Sequence, residues 1–96
     1  MEFVEGQSRF EAIEDGRVIG WVTNDVNQDG VHALRHTISL EEGRGVASGL
    51  VEFVLNLAEE RRWQILPYCP FIESYIQDHP QYAELIPSAR RREFGL

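Results

Sequence analysis

The sequence predicts an α/β fold: a mixed, mostly antiparallel sheet with one central helix and a short helix towards the C-terminus. Three observations predict it. The front third alternates apolar and polar residues about hairpin signals. The middle carries apolar residues at helical spacing, and a short apolar run then follows that helix. Periods of about 2 and 3.6 residues mark half-buried strands and amphipathic helices respectively.

Arg9-Phe10-Glu11-Ala12-Ile13-Glu14 alternates, and Asp15-Gly16 supplies a hairpin turn. Arg17 to Thr23 is the returning strand, with Val18, Ile19, Trp21 and Val22. Asn24 to Gly30, rich in Asn, Asp and Gly, reads as a polar loop. Gly30 to Ile38 is a third strand. Strict alternation would put Val31, Ala33, Arg35 and Thr37 on one face and His32, Leu34, His36 and Ile38 on the other. Val46, Leu50, Phe53, Val54 and Leu57 predict the helix, closed by Arg61-Arg62 where cations suit its dipole. Gly49 inside it costs about 1 kcal/mol relative to Ala, which implies close packing of helix on sheet. Trp63 to Leu66 is a short buried strand. Phe71, Ile72, Tyr75 and Ile76 form the second helix, ended by His79-Pro80; Tyr82 to Ile86 is one more turn, and Pro87 to Leu96 a tail.

Ninety-six residues suffice for one core, so a single domain over 1–96 is expected. The net charge of −7 argues against non-specific nucleic-acid binding, which needs a positive surface. No apolar run approaches the ~20 residues that span a bilayer, and the N-terminus lacks the order of a signal peptide. The one cysteine, Cys69, has no disulfide partner in the chain, so a reducing, cytoplasmic setting is expected. Neither it nor the scattered histidines have metal-ligand spacing.

The stretch richest in chemistry is Glu42-Gly43-Arg44-Gly45-Val46-Ala47, a glycine turn running into the helix. Glycines let the main chain approach a phosphate, and free N–H groups at a helix start point at it. The bland alternative is a capping box, with Ser39 as cap and Glu42 reaching back. That alternative leaves Gly43 and Gly45 in the first helical turns, where they weaken a helix.

Further motifs occur in order: His36-Thr37, then the glycine turn, then Pro67-Tyr68-Cys69-Pro70-Phe71, Tyr75-Ile76 and His79-Pro80-Gln81-Tyr82. Arg92-Glu93-Phe94-Gly95-Leu96 closes the chain. Together they resemble the small single-domain branch of the GNAT superfamily of N-acetyltransferases, over roughly the last two-thirds of the chain. The resemblance implies the GNAT-type fold, acetyl-CoA as cosubstrate and an amine as acceptor, in a bacterial-type protein that is a monomer or weak homodimer. It implies pyrophosphate binding by the main chain of Gly43, Arg44, Gly45, Val46 and Ala47, with a charge-assisted contact from Arg44. Glu42 stands where the family has Gln or Arg, and a carboxylate suits a pyrophosphate poorly. Pantetheine would lie between the ends of two splayed strands. Thr37, Ile38 and Tyr68 would border the cofactor, and the thioester would sit near His36-Thr37 on one side and Tyr68-Cys69 on the other.

Three side chains are candidates for catalysis. Cys69 is either an acyl-accepting thiol or a small apolar residue lining the pocket. His36 is either the general base or a strand histidine packed beside Leu34; imidazole is the side chain suited to taking a proton near neutral pH. Tyr75 is either the acid that protonates the departing CoA thiolate or a core aromatic. His79 is more readily a helix end than a functional group. Arg90-Arg91-Arg92 is either a solvated tail or a dock for the 3′-phosphate of CoA or an acidic partner. A CoA-binding or interaction module with little turnover is the alternative to an enzyme.

Overall fold

Five strands, two α-helices and two 3-10 helices make up the computed structural model, which describes all residues 1–96. The strands are β1 (Glu2–Glu5), β2 (Arg9–Glu14), β3 (Arg17–Val26), β4 (His32–Ser39) and β5 (Ile65–Pro67). They lie in sequence order in one sheet. The first four are antiparallel, and β5 joins β4 in parallel after the crossover through α1 (Val46–Arg61). The second helix, α2 (Pro70–Asp78), precedes 3-10 helices at Pro80–Leu85 and Ser88–Phe94.

One face of the sheet packs against α1, and the core lies there. Phe10, Ala12, Val22 and Leu34 meet Val46, Leu50, Val51, Val54, Leu55 and Ala58 of the helix in one cluster. The expected tight approach of helix to sheet occurs at two glycines. A Cβ on Gly49 would meet the Phe3 ring at 2.7 Å, which accounts for glycine inside α1. A Cβ on Gly20 would lie 2.8 Å from both the Ile38 carbonyl oxygen and Val46. Backbone cannot move aside as a side chain can, so Gly20→Ala should destabilise the fold by about 1–3 kcal/mol. Urea unfolding checks this; a neutral result would contradict the close approach of α1.

Four expectations need correction. A first strand, β1, was not foreseen: Glu2-Phe3-Val4-Glu5 is short and gains its place by pairing with β2 and stacking Phe3 on Phe53. Asn24 to Val26 belong to β3 rather than to a loop; Asn24 is held by the His32 imidazole, whose Nδ1 donates to Oδ1 at 3.1 Å. The last strand starts at Ile65, not Trp63. The C-terminal ten residues are not a loose tail, because Phe94 is buried and Gln77 Nε2 donates to its carbonyl at 2.8 Å.

The alternation expected along Gly30 to Ile38 also fails, at a bulge. Val22 pairs with Thr37 but Asn24 pairs with Leu34, so β4 carries one extra residue opposite Thr23. Paired residues share a face, and so do Val22 and Asn24. Leu34 and Thr37 therefore both face α1, while Arg35 and His36 lie together, exposed, on the uncovered face with Trp21 and Ile38.

His32, only 8% exposed, stacks on Trp63 at 3.9 Å between ring centroids where β4 meets β5. Burial lowers its pKa below the ordinary 6.5, and the nearby Glu5 carboxylate opposes this only in part. The unfolded chain then binds the proton more tightly than the fold does. Stability contributed by neutral His32 is present above pH 6.5 and is lost as pH falls from there through the lowered folded value. Denaturant midpoints measured from pH 8 to 5 should fall on acidification. His32→Gln should flatten that slope, and an unchanged slope would show that His32 is not responsible.

Candidate functional site

The helix α1 begins without a side-chain cap. Gly45 is its N-cap, at φ 71°, and no acidic residue lies in the first turn. The capping box does not form: Ser39, six residues before the N-cap Gly45, instead donates from its Oγ to the Glu41 carbonyl at 2.6 Å. Gly43, at φ 74°, shares the left-handed conformation that other residues adopt at a cost of about 1–2 kcal/mol. A Cβ at either glycine would meet nothing within 4 Å, so the turn borders open space. The groove there is lined by Ser39, Glu42, Gly43, Gly45, Ala47 and Phe71, among others. The first N–H groups of α1 have no intrahelical acceptor, and the dipole gives them positive character. The place suits an anionic group held by main chain.

Arg44 points elsewhere. Its guanidinium bonds both carboxylate oxygens of Glu14 at 2.5 and 2.6 Å, and Glu41 at 2.8 Å. Those bonds hold the Glu14 carboxyl below the usual carboxylate range and raise the Arg44 pKa. The sequence-expected charge of Arg44 is thus shared with two acids across the turn, and Glu42 remains in the groove lining.

Beside this turn the sheet splits. Pairing of β4 with β5 ends at Leu34–Pro67, followed by one further bond from the Cys69 N–H to the Leu34 carbonyl at 2.9 Å. The chain then turns away into α2, with Cys69 as N-cap and Pro70 in its first turn. β4 runs on alone on that side. The His36 N–H donates to Thr23 Oγ1, and the Leu40 N–H to the Ile19 carbonyl, both towards β3. Alternation then directs the main chain of Thr37 and Ser39 into the split.

Three of the sequence-selected residues gather here. Buried Cys69 places its Sγ 3.4 Å from Thr37 Oγ1, as donor in a weak hydrogen bond on the α1 side. Tyr68, the preceding residue, turns to the uncovered face, where the Arg35 guanidinium lies 4.8 Å from its ring centre. His36 is on that same face, exposed, so it is not the packed neighbour of Leu34 that alternation suggested.

Tyr75 belongs to another neighbourhood. It stacks on His79 at 4.0 Å, lies 6.3 Å from Tyr82 between ring centres, and borders a groove with Ser48, Phe71 and Asp78. Burial, with the Glu52 carboxylate adding to it, raises its pKa and keeps the phenol protonated. His79 Nδ1 donates to the Tyr75 carbonyl at 2.8 Å and closes α2, as a helix-end histidine does. Ser48 and Phe71, shared by the two grooves, were not singled out as site residues, because a helical serine carries no spacing signal and Phe71 reads from its spacing as part of the apolar face of α2, although it is exposed.

The arginine run is divided by function. Arg91 Nε donates to the Ala83 and Ile86 carbonyls at 3.1 and 3.0 Å and ties the two 3-10 helices together. Arg90 donates to the Tyr68 hydroxyl at 3.0 Å and pairs with Glu93. Neither is a freely solvated tail residue.

Comparison with known proteins agrees with this geometry. No curated protein matches the chain. Among solved structures, the fold is that of a ribosomal-protein-alanine N-acetyltransferase from Brucella melitensis biovar Abortus 2308, with a TM-score of 0.50 and 24% identity. The match covers 83% of this chain and 61% of that one, so this chain spans about three-fifths of the other's length. A family model described as GCN5-related N-acetyl-transferase matches residues 9–85, from β2 through the split to the first 3-10 helix. The chain belongs to the GCN5-related N-acetyltransferase family.

Proposed function

We propose that residues 1–96 act as one domain that binds acetyl-CoA and transfers its acetyl group to an amine. The observation that carries the reading is the uncapped start of α1. Two left-handed glycines there border open space next to a split sheet. The main-chain N–H groups from Gly43 to Ala47 would hold the pyrophosphate, with Arg44 kept by its carboxylate partners at the rim. The unpaired main chain of Thr37, next to Ile38, would pair with the pantetheine arm, and Tyr68 would border the arm's far end.

Bound acetyl-CoA would supply an activated acetyl thioester in the split. The α1 side is filled by core, so the acceptor approaches from the uncovered face, where His36 stands. His36 takes the proton from the acceptor's ammonium. The amine nitrogen then forms the new C–N bond to the carbonyl carbon as the C–S bond breaks, and CoA leaves as a thiolate that takes up the second proton shed by that nitrogen as it becomes the amide. A main-chain N–H at the split polarises the carbonyl. Cys69 lines the acetyl pocket on this reading, since its buried thiol is engaged with Thr37. Tyr75, held in the stack with His79, serves the groove beyond the pyrophosphate rather than the leaving thiolate.

Calorimetry with acetyl-CoA, desulfo-CoA and ATP tests the reading: selective binding of acetyl-CoA supports it, and no binding at millimolar ligand removes it. A second reading is favoured by the short connection from β3 to β4, between Val26 and His32, which leaves little chain to build an acceptor pocket beside the split. Such a domain would bind CoA as an interaction module and turn over little. Acetyl-CoA binding with no amine-dependent CoA release would select that reading. The free, buried Cys69 suits a reducing cytoplasmic setting, and no helix is long and apolar enough to cross a membrane. A monomer or weak homodimer is the assembly we propose.

A further inference from the structure

The acceptor's chemistry is open, and one side-chain cluster beside the split speaks to it. Tyr68 immediately precedes Cys69 and turns its ring to the uncovered face. Two guanidiniums lie against that ring: Arg35 at 4.8 Å from its centre, and Arg90 at 6.0 Å with a 3.0 Å bond to the hydroxyl. Phe94 packs on the same ring edge-to-face at 5.8 Å, so the C-terminal 3-10 helix holds Arg90 in place. His36 neighbours Arg35 at the bulge, on the same face. A base, an aromatic wall and two cations therefore converge where an acceptor would enter.

The carboxylates of the cluster lie outside it. Asp25 is 73% exposed and meets Arg35 at 3.3 Å, while Glu93, 51% exposed, reaches Arg90 from the next turn and accepts from its Nε and Nη2, both at 2.8 Å. The Arg35–Asp25 pair is exposed and held by one long contact, so an incoming carboxylate can take its place, while at Arg90 it would have to displace the two-bond fork to Glu93. The guanidinium fork is matched to a carboxylate in two parallel bonds, and it is already oriented by stacking. The acidic surface as a whole would draw cations, but the charge nearest the reacting atoms is positive.

We infer that the Arg35–Tyr68–Arg90 cluster is an acceptor subsite for a carboxylate, and that the acceptor is an amine that also bears a carboxylate. This rests on the acetyltransferase reading above. Amino-acid-like molecules fit it; polyamines and neutral amines do not.

The test has two arms on the intact 96-residue chain. The first follows the arginine Nε–H resonances by NMR while titrating N-acetylglycine, a carboxylate product analogue, or its amide, with CoA present. Saturable shifts at Arg35 and Arg90 with the carboxylate only are expected, and their loss in Arg90→Gln. The second compares CoA release with glycine against glycinamide, and with 4-aminobutyrate against putrescine. The carboxylate member should be favoured about tenfold or more. Arg35→Gln and Arg90→Gln should each bring that preference to within about threefold, with acetyl-CoA affinity unchanged. Acetyl-CoA binding without arginine shifts, or with equal or better use of the amide or putrescine, overturns the inference alone. Absence of acetyl-CoA binding overturns the acetyltransferase reading and the inference with it.

Discussion

Replacing Gly45 by glutamate will lower acetyl-CoA affinity at least about 100-fold. Gly45 is the N-cap of α1 at φ 71°, and the space beyond its Cα is open. A side chain there enters the position proposed for the pyrophosphate. Two effects add. A carboxylate about 4 Å from a phosphate is repelled by roughly 1 kcal/mol in water, and about 4 kcal/mol at an effective dielectric constant near 20. A left-handed conformation costs a non-glycine residue about 1–2 kcal/mol more, which acts on the fold. A loss of about 3 kcal/mol corresponds to a little more than 100-fold in dissociation constant. Gly45→Asn separates the two effects, because asparagine tolerates the left-handed region and carries no charge. It should keep its thermal midpoint and bind within about tenfold of wild type. If Gly45→Glu folds and binds within threefold of wild type, the glycine turn is not the anion site.

His36→Ala will lower kcat/KM for the acceptor by about 10²–10⁴, the usual worth of a positioned general base. Acetyl-CoA affinity should not change, since His36 lies on the face away from the glycine turn. The variant's activity should recover in part at high pH, where more of the amine is already deprotonated and needs no base. His36 is exposed on β4, and its backbone N–H bonds Thr23 Oγ1, so truncation removes an imidazole without opening a cavity. A parallel Cys69→Ala variant distinguishes direct transfer from a covalent route. Direct transfer predicts a modest loss, with no acetyl-enzyme detected by mass spectrometry in the wild type. A loss below threefold in His36→Ala, together with an acetylated Cys69 in the wild type, would reverse the roles given to these two residues.

The particular residues show where a sequence carries its structure and where it does not. Strand β2 and the Asp15-Gly16 turn were legible because alternation and turn chemistry are local; Asp15 and Gly16 do take positive φ, at 53° and 75°. Helix α1 was legible from its apolar spacing, and Gly49 from the rule that a helical glycine needs a packing reason, supplied by Phe3. β1 was not legible, because four residues with two glutamates gain strand conformation only from their neighbour. The glycine turn was legible as an uncapped helix start with two left-handed glycines, but the partners of Arg44 within it were not. Its partner Glu14 is 30 residues away, on a hairpin whose placement local pattern does not encode.

The sequence by itself determined the fold class, the order of most elements and the family, because periodicity, turn residues and ordered motifs are properties of neighbouring residues. Tertiary structure alone decided which side of the sheet each candidate serves. One extra residue at Arg35–His36, opposite Thr23, turned Thr37 to the α1 side with Cys69 and left His36 and Tyr68 on the open face. A bulge arises from the register between two strands rather than from either strand's own pattern. The Arg35–Tyr68–Arg90 cluster likewise draws on β4, the β5–α2 junction and the C-terminal 3-10 helix, three segments that only the folded chain brings together.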